Sequence, residues 1–199
     1  MIEDSCHTVR VTARIMEQRG LTLTGRVELR HVDEEILQEL LLVAVNDAVP
    51  GEVMPPVAGP PGWTTKRQEA FLAWHRVRRP GLAGPLHECT FAIINDGRIV
   101  GSARLARHDG QDVLETGMWL ARSERGRGIG TATLRKLLDE AASAGARAVI
   151  AETTADNAAA LAALRNNDAR LTPHQDSTHV RAQLVLDETQ PPSSASPNP

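Results

Sequence analysis

Tyrosine is absent from this chain of 199 residues, and aromatic residues of all kinds make up only 3% of it. This scarcity argues against a module that stacks bases on aromatic side chains, and it leaves no tyrosine to act as a proton donor. Charge of one sign is also lacking, because 22 Lys and Arg stand against 25 Asp and Glu and leave a net charge of −3. Since no basic field gathers a polyanion, we expect no nucleic-acid partner.

Cysteine, metal-ligand spacing and long hydrophobic runs are missing as well. The two cysteines, Cys6 and Cys89, form neither a disulfide framework nor a C-x-x-C pair, which is typical of reduced thiols in the cytosol. The seven histidines lack metal-ligand spacing, so we predict no metal site and place His174 and His179 in solvated loops. No stretch approaches the roughly 18 apolar residues of a membrane helix, and the charged N-terminus lacks the apolar segment of a secretory signal. We therefore expect a soluble cytoplasmic protein without a membrane partner.

The remaining composition, with 41% hydrophobic and 24% charged residues, is that of one globular domain. We predict an N-terminal extension over 1–20, which has no clear period, and a single domain over 21–187. Residues 188–199 are rich in Pro and Ser and almost devoid of apolar side chains. Such a segment cannot offset the entropy of ordering, so it is predicted to be a disordered tail.

The hydrophobic periodicity predicts an α+β fold with the element order β-α-α-β-β-β-α-β-α-β. Alternating residues joined by the turns Asp96-Gly97 and Asp109-Gly110 predict three antiparallel strands. A proline-rich loop over 50–63 separates the first two helices, and loops of this length are usually functional or disordered. The predicted strands cover 21–32, 89–95, 98–108, 113–121, 146–152 and 180–187, and the predicted helices cover 33–46, 64–79, 128–145 and 156–167.

A glycine-rich turn with the sequence Arg-Gly-Arg-Gly-Ile-Gly, at 125–130, lies between the predicted strand 113–121 and the next helix. Glycines leave backbone N–H groups accessible, and the helix that follows adds the positive end of its dipole. The turn therefore predicts a site for a phosphate or diphosphate. The segment 122–136 supports an anion site, since it holds five basic residues and one acidic residue.

Three kinds of phosphate-binding turn compete for this sequence. A P-loop requires a lysine before its Ser or Thr, whereas Thr131 follows Gly130 directly. A Rossmann turn requires glycine at its sixth position, which is Thr131 here, and it does not follow a hairpin-linked antiparallel strand. The remaining pattern is R-x-x-G-x-G before an amphipathic helix, with dinucleotide binding kept as an alternative.

This pattern resembles the acyl-CoA pyrophosphate loop of the GCN5-related N-acetyltransferases, the GNAT superfamily. The downstream segment VIAETTADNAAALAAL is similar to the family's next block, in which a strand ends in Glu and Asn opens a helix. The resemblance extends over 21–187, has its specific part within 112–170, and is closest to the branch that acetylates ribosomal proteins and small amines. It implies a central mixed, mostly antiparallel sheet flanked by helices, and an acetyl-CoA-dependent N-acetyltransferase.

The resemblance also assigns the residues that bind acetyl-CoA. The backbone of the strand before the turn would pair with the pantetheine arm, and the amides of the turn would hold the diphosphate. Asn157 matches the family's asparagine that reaches the pantetheine, and it also suits a helix cap. The implied binding residues are Met118, Trp119, Leu120, Arg125, Gly126, Arg127, Gly128, Ile129, Gly130, Thr131 and Asn157.

For the chemistry, the resemblance implies direct attack of a primary amine on the thioester in a ternary complex. The amine is protonated at neutral pH, so a carboxylate must take its proton, which burial of that carboxylate would favour. Glu152, at the end of a predicted buried strand, matches the family's glutamate there, and Glu115 in the facing strand is the second candidate. The alternative for both is a carboxylate with no catalytic role.

Two departures from the family pattern stand out. Leu164 occupies the position of the tyrosine that protonates the departing thiolate, so a non-catalytic acyl-CoA-binding sensor or interaction module is the alternative function. Asp168 and Ala169 replace the usual Gly-aromatic pair, and Asn167 or Asp168 is expected to adopt the left-handed turn.

The acceptor side is expected to consist of the two early helices and the proline-rich loop. An electronegative cleft around Glu115 and Glu152 would favour cationic amines. A protein N-terminus, an antibiotic and a small metabolite all stay open as the acceptor, and the resemblance allows a homodimer.

Overall fold

The computed structural model describes residues 25–107, 112–175 and 178–186. The predicted N-terminal extension, the Asp109-Gly110 turn, the predicted tail and the start of the first predicted strand lie outside these residues. The strands are β1 (Val27–His31), β2 (Glu88–Asn95), β3 (Arg98–Arg107), β4 (Val113–Leu120), β5 (Ala148–Thr154), β6 (Arg170–Pro173) and β7 (His179–Val185). The helices are α1 (Glu34–Asp47), α2 (Pro50–Val53), α3 (Thr65–Arg76), α4 (Ile129–Ser143) and α5 (Ala158–Arg165), with 3-10 turns at Gly81–Ala83 and Arg122–Glu124.

The strands of the described residues form one seven-stranded sheet in the order β1-β2-β3-β4-β5-β7-β6. Neighbouring strands are antiparallel except for β4 and β5, which are parallel. This arrangement confirms the predicted α+β class with a mixed, mostly antiparallel sheet flanked by helices. The single parallel pair lies in the middle of the sheet.

The element order differs from the prediction at two places. The proline-rich loop contains the short helix α2, which has Pro50 at its first position, where proline's missing N–H costs nothing. Two strands, β6 and β7, follow α5 instead of one. The sequence of β6 is Arg-Leu-Thr-Pro, which is too short to show alternation and ends in a residue that is rare inside sheets.

Polar side chains at the helix starts explain where two helices begin. Asp33 Oδ1 accepts a hydrogen bond from the amide of Ile36 at 2.8 Å, and Thr64 Oγ1 accepts one from the amide of Arg67 at 3.3 Å. Both are N-cap contacts of the usual kind. After α5 the chain turns at Asp168, whose φ of +59° confirms the expected left-handed residue.

Helices cover the two faces of the sheet and enclose two apolar cores. On one face α4 packs on the sheet through a core that includes Leu105, Leu114 and Leu137. On the other face, called here the α1/α3 face, the fully buried side chains of Leu37 and Phe71 lie against the sheet. Successive side chains of a strand point to opposite faces of the sheet. The strand residues that belong to each core therefore show which face their neighbours along the strand point to.

A β-bulge lies in β3, opposite the end of β4 that precedes the glycine turn. Ile93 pairs with Gly101 while Ile94 pairs with Ile99, so Val100 is the extra residue in β3. Opposite the bulge, Gly101 pairs with Leu120 at the end of β4. A Cβ atom on Gly101 would lie 2.1 Å from the carbonyl oxygen of Trp119, so only glycine permits this close approach of the two backbones.

A helix that could cross a bilayer, with the length and apolar character this requires, does not occur among the described residues.

Candidate active site

The two parallel strands in the middle of the sheet separate halfway along their length. β4 and β5 pair only from Val113 with Ala148 to Thr116 with Ala151. Beyond that point β4 stays paired with β3 as far as Leu120, and β5 stays paired with β7 as far as Thr154. The split therefore leaves the backbone edge of 117–120 that faces β5 without a strand partner among the described residues.

The side chains of 118–120 anchor this free edge in both cores. Met118 and Leu120 pack against the core under α4. Trp119 is buried on the α1/α3 face, where its ring lies 6.5 Å from that of Phe71. The side chains of this segment are thus anchored on both faces of the sheet, while the backbone edge that faces β5 is left for a ligand, apart from the carbonyl of Leu120, which accepts a hydrogen bond from Arg125.

The glycine turn follows the free edge after the intervening 3-10 turn at Arg122–Glu124. Gly126 and Gly128 have φ values of +74° and +78°, and Gly128 is the N-cap of α4 with no side-chain cap. Within the described part of the chain, no backbone amide of 126–131 donates a hydrogen bond to another residue. A Cβ on Gly130 would lie 3.9 Å from Leu120 Cδ1 and 4.0 Å from Ala163 Cβ. Free amides at a helix start, with little side-chain bulk around them, form an anion site.

The two arginines of the turn point away from these amides. Arg125 Nε donates to the carbonyl of Leu120 at 3.0 Å, and its Nη2 donates to Glu52 of α2 at 2.8 Å. Arg127 Nη1 donates to Glu124 at 2.6 Å. The groups of this turn that are left for an anion are therefore backbone amides, and the two arginine side chains are engaged by Leu120, Glu52 and Glu124.

Asn157 is the N-cap of α5. Its Oδ1 accepts a hydrogen bond from the amide of Ala160 at 3.1 Å, which leaves the Nδ2 amide group without a partner among the described residues. The capping role that the sequence allows is therefore present, and the two N–H donors of Nδ2 stay available for a ligand.

Glu152 is the first residue of β5 beyond the split. Its neighbours Val149 and Ala151 belong to the core under α4, so alternation directs Glu152 to the α1/α3 face. Its Oε2 lies 3.0 Å from Nε2 of His174, and its side chain is 42% exposed. The expectation that Glu152 ends a buried strand is wrong, because β5 continues to Thr154 and only its first four residues are buried.

Glu115 lies on the same face, two residues before the split. It forms an ion pair with Arg104 of β3, which also bonds Glu88 at 3.2 Å. Glu88 in turn pairs with Arg78, whose guanidinium lies 4.0 Å above the ring of Trp74. Glu88, Glu115 and Glu152 each lie beside an arginine or histidine, so these carboxylates do not form the predicted electronegative cleft.

Sequence reasoning missed the cationic half of the site. His174 was expected in a solvated loop, yet it contacts Glu152 and its ring centroid lies 6.5 Å from that of His179. Arg181 of β7 pairs in register with Glu152. A signal existed for Arg104, since the alternation in β3 puts it on the polar face, whereas the position of Arg181 beside Glu152 depends on the register of β5 with β7, which no local pattern predicts. No cluster of potential metal ligands occurs in the described ranges.

Two contacts connect the N-terminal helices to the segment before the glycine turn. Asp47 Oδ2 accepts from the amide of Ser123 at 3.0 Å, in addition to the contact between Arg125 and Glu52. Hydrogen bonds from Ser123 hold the pKa of Asp47 below its usual value. The proline-rich loop is itself held by Arg67, which donates to Val57, Gly59, Pro60 and Gly62 carbonyls.

Comparison with known proteins gives a consistent answer. The acetyltransferase (GNAT) family model matches residues 53–167, whereas no curated protein is detectably similar in sequence. The structure is similar to Mycobacterium smegmatis RimJ in complex with CoA-disulfide, at 21% identity, covering 83% of this chain and 85% of that chain with a TM-score of 0.66.

Two further structures show the same fold. YncA, a putative acetyltransferase from Salmonella typhimurium with acetyl-CoA, has 19% identity, coverage of 85% of this chain and 99% of that chain, and a TM-score of 0.59. RimL, a ribosomal L7/L12 alpha-N-protein acetyltransferase in complex with coenzyme A, has 18% identity and a TM-score of 0.61. The match covers 84% of this chain and 97% of that chain. Since the family model spans more than half of the chain, this protein belongs to the GNAT acetyltransferase family and is an acetyl-CoA-dependent N-acetyltransferase.

Proposed function

We propose that this chain transfers the acetyl group of acetyl-CoA to a primary amine by direct attack in a ternary complex. The observation that carries the proposal is the split between β4 and β5, which leaves the edge of 117–120 free directly before the unbonded amides of 126–131. A protein N-terminus, an antibiotic and a small metabolite are the candidate acceptors. That RimL is an alpha-N-protein acetyltransferase agrees with an amine acceptor.

Acetyl-CoA fits the free backbone of this region. The edge of Met118, Trp119 and Leu120 would take the amides and carbonyls of the pantetheine arm as an added strand does. The amides of 126–131 would take the diphosphate at the N-terminus of α4. The Nδ2 group of Asn157 would donate to the arm from the other side of the split.

The reaction needs one proton acceptor before the bond-forming step. Glu152, acting directly or through a water, would take a proton from the ammonium group, and the freed nitrogen lone pair would attack the thioester carbonyl carbon. The N–C bond forms, the C–S bond breaks, and the sulfur leaves with the bonding electrons as CoA thiolate. The acylated nitrogen then releases its second proton, which the thiolate takes up, and the proton on Glu152 passes to solvent, so that the products are the N-acetyl amide and CoA thiol. A thiol pKa of about 8.5 makes the thiolate a tolerable leaving group, so the absence of tyrosine is compatible with turnover. Glu115, paired with Arg104, is the second candidate base.

A covalent route through cysteine is disfavoured. Cys89 is the one cysteine among the described residues, and it is buried in the core under α4, on the side of the sheet away from Glu152. Desolvation raises the pKa of its thiol to about 11, so Cys89 is not a nucleophile at neutral pH. Direct attack by the amine needs no such intermediate.

Calorimetry and a thiol-release assay test this proposal. We expect saturable binding of acetyl-CoA, which Gly130→Val should weaken because its side chain fills the space beside Leu120 and Ala163. With a panel of primary amines, we expect amine-dependent release of free CoA, lowered about 100-fold or more by Glu152→Gln. Glu39→Gln, which removes an exposed carboxylate of α1, serves as the control.

The outcomes separate the functions. No binding of acetyl-CoA by folded protein would overturn the proposal, and a thermal shift with NAD(P) alone would favour dinucleotide binding. Binding without amine-dependent thiol release, unaffected by Glu152→Gln, would instead favour a non-catalytic acyl-CoA-binding sensor.

A further inference from the structure

At the level of the split, residues that pair across neighbouring strands form a row of side chains on the α1/α3 face of the sheet. Arg104 of β3 pairs with Gly117 of β4, which is the first residue of β4 beyond the pairing with β5. On the other side of the split, Glu152 pairs with Arg181 of β7, and Arg181 pairs with Thr172 of β6. The row therefore reads arginine, glycine, glutamate, arginine, threonine, with the split between the glycine and the glutamate.

Gly117 opens a gap in the middle of this row. It is exposed, and a Cβ built on it would have no atom within 4 Å. The two flanking residues that carry charge, Arg104 and Glu152, thus border open space rather than each other. A small molecule resting on Gly117 would lie directly beside the backbone edge at which the thioester is proposed to lie.

The two arginines of the row differ in how much of their hydrogen-bonding capacity is used. Arg104 is engaged by Glu115 and Glu88. Arg181 has only a distant ion pair, at 4.0 Å, with Glu152, and its side chain is 46% exposed. Within the described ranges no hydrogen bond involves its guanidinium. The free guanidinium lines an open recess of about 560 Å³ that also includes Thr172, His174 and Gln175.

We propose, building on the acetyl transfer proposed above, that the acceptor is an α-amino acid whose amine lies at Glu152 and whose carboxylate binds Arg181. A planar guanidinium with free N–H donors is the side chain best suited to a carboxylate, which it binds through two parallel hydrogen bonds. The adjacent positions of Glu152 and Arg181 match the adjacent ammonium and carboxylate of such a molecule. Polyamines offer no group for Arg181 and are repelled by it and by Arg104.

The recess supports this orientation. Thr172, His174 and Gln175 surround Arg181 with further polar groups, and His174 contacts the Oε2 atom of Glu152. An acceptor that binds Arg181 therefore meets polar partners on the β6–β7 side and the split on the other side. Binding of the carboxylate to Arg181 thus places the adjacent amine beside Glu152, at the split where the thioester is proposed to lie.

The test measures acceptor binding rather than turnover. Protein saturated with CoA is titrated by calorimetry with the standard α-amino acids, with their carboxamides and with spermidine. We expect at least one amino acid to bind about tenfold or more tightly than its carboxamide, because the amide lacks the charge that strengthens the bonds to Arg181. Arg181→Gln should abolish that difference, and Arg181→Lys should retain part of it.

Arg170→Gln is the matched control. Arg170 is an exposed arginine of the same hairpin and face, paired with Gln183 two register positions further along. Its loss changes the net charge equally but should leave the preference for the free acid intact. The proposal is overturned if no amino acid binds, if carboxamides or spermidine bind as tightly, or if Arg181→Gln keeps the preference. Failure of acetyl transfer itself would appear separately, as absent thiol release with every amine.

Discussion

Nη2 of Arg125 lies 2.8 Å from Oε2 of Glu52, although the two residues are 73 positions apart in the chain. The contact joins the first residue of the glycine turn to the short helix α2 of the proline-rich loop. A second contact, between Asp47 and Ser123, joins the same two regions. The proposed cofactor side and the proposed acceptor side of the site are thus connected by two acidic side chains.

The first prediction concerns the carboxylate of Glu52. The Glu52→Gln variant removes a negative charge from beside Arg125, close to the proposed diphosphate site. We expect acetyl-CoA to bind about two- to fivefold more tightly, in keeping with the small energies of half-exposed ion pairs, and the gain should shrink at high salt. Calorimetry at two salt concentrations measures it.

Glu69→Gln is the control, because Glu69 is an exposed carboxylate of α3 and its removal changes the net charge equally. If Glu52→Gln weakens binding instead, the carboxylate contributes by holding Arg125 in place rather than by competing with the diphosphate.

The second prediction concerns the close approach of β3 and β4 at Gly101. A Cβ there would lie 2.1 Å from the carbonyl oxygen of Trp119, so Gly101→Ala forces the two backbones apart at the end of β4. We expect the free energy of unfolding to fall by about 2 kcal/mol or more, and the surviving folded protein to bind acetyl-CoA more weakly.

Gly117→Ala is the comparison variant for urea unfolding. A Cβ at Gly117 meets no atom within 4 Å, so its effect on the free energy of unfolding should stay within about 0.5 kcal/mol. Equal losses in the two variants would contradict the steric explanation.

The third prediction concerns His75, which is fully buried under Phe71, with Nδ1 3.1 Å from the hydroxyl of Thr90. Desolvation, aided by Arg78 and Arg79, lowers the pKa of His75 to about 3, whereas the unfolded value is about 6.5. Between these two values the unfolded state binds the extra proton. The free energy of unfolding should therefore fall as pH falls below about 6.5, by up to about 1.4 kcal/mol per pH unit.

Urea unfolding at several pH values from about 7.5 to about 5 measures this slope. His75→Leu should flatten the slope because it removes the titrating group, although it also leaves the hydroxyl of Thr90 without its partner. His31→Gln, which replaces an exposed histidine, should retain the slope. A wild-type slope as flat as that of His75→Leu would contradict the assignment.

The parts of the fold that could be predicted from the sequence are those specified by neighbouring residues. Alternation together with the Asp96-Gly97 turn predicts β2 and β3, and the apolar stripe of α4 with glycine at its end predicts that helix. The glycine turn is recognisable because a few adjacent residues determine which amides are left free. The four-residue strand β6 lacks such a local pattern, so it was missed.

The same reasoning explains why the site was only half predicted. The exposure of Glu152 depends on where the β6–β7 hairpin ends and on the contact with His174, neither of which any local pattern specifies. Arg181 becomes a neighbour of Glu152 only through the register of β5 with β7. Glu152 could be found because it matches a family motif. His174 and Arg181 lie beside it only because of the tertiary structure, so no sequence pattern could reveal them.

The last prediction separates the two roles of Asn157. Its Oδ1 caps α5 through the amide of Ala160, and its Nδ2 group is proposed to donate to the pantetheine arm. Asn157→Asp keeps an oxygen for the cap and removes the donor, so thermal stability should be retained while acetyl-CoA binds up to about tenfold more weakly. Asn157→Ala removes both functions and should in addition lower the free energy of unfolding by about 1 kcal/mol.

Asn166→Asp, at the other end of the same helix, controls for the added negative charge and should leave acetyl-CoA affinity unchanged. Calorimetry and thermal unfolding of the three variants distinguish the cases. If Asn157→Asp binds acetyl-CoA as the wild type does, Asn157 is a helix cap only, and the arm must be held by the free edge of β4 and the glycine turn. If only Asn157→Ala loses affinity for acetyl-CoA, binding requires an ordered start of α5. The cap then acts indirectly, by keeping the first turn of α5 in place beside the split.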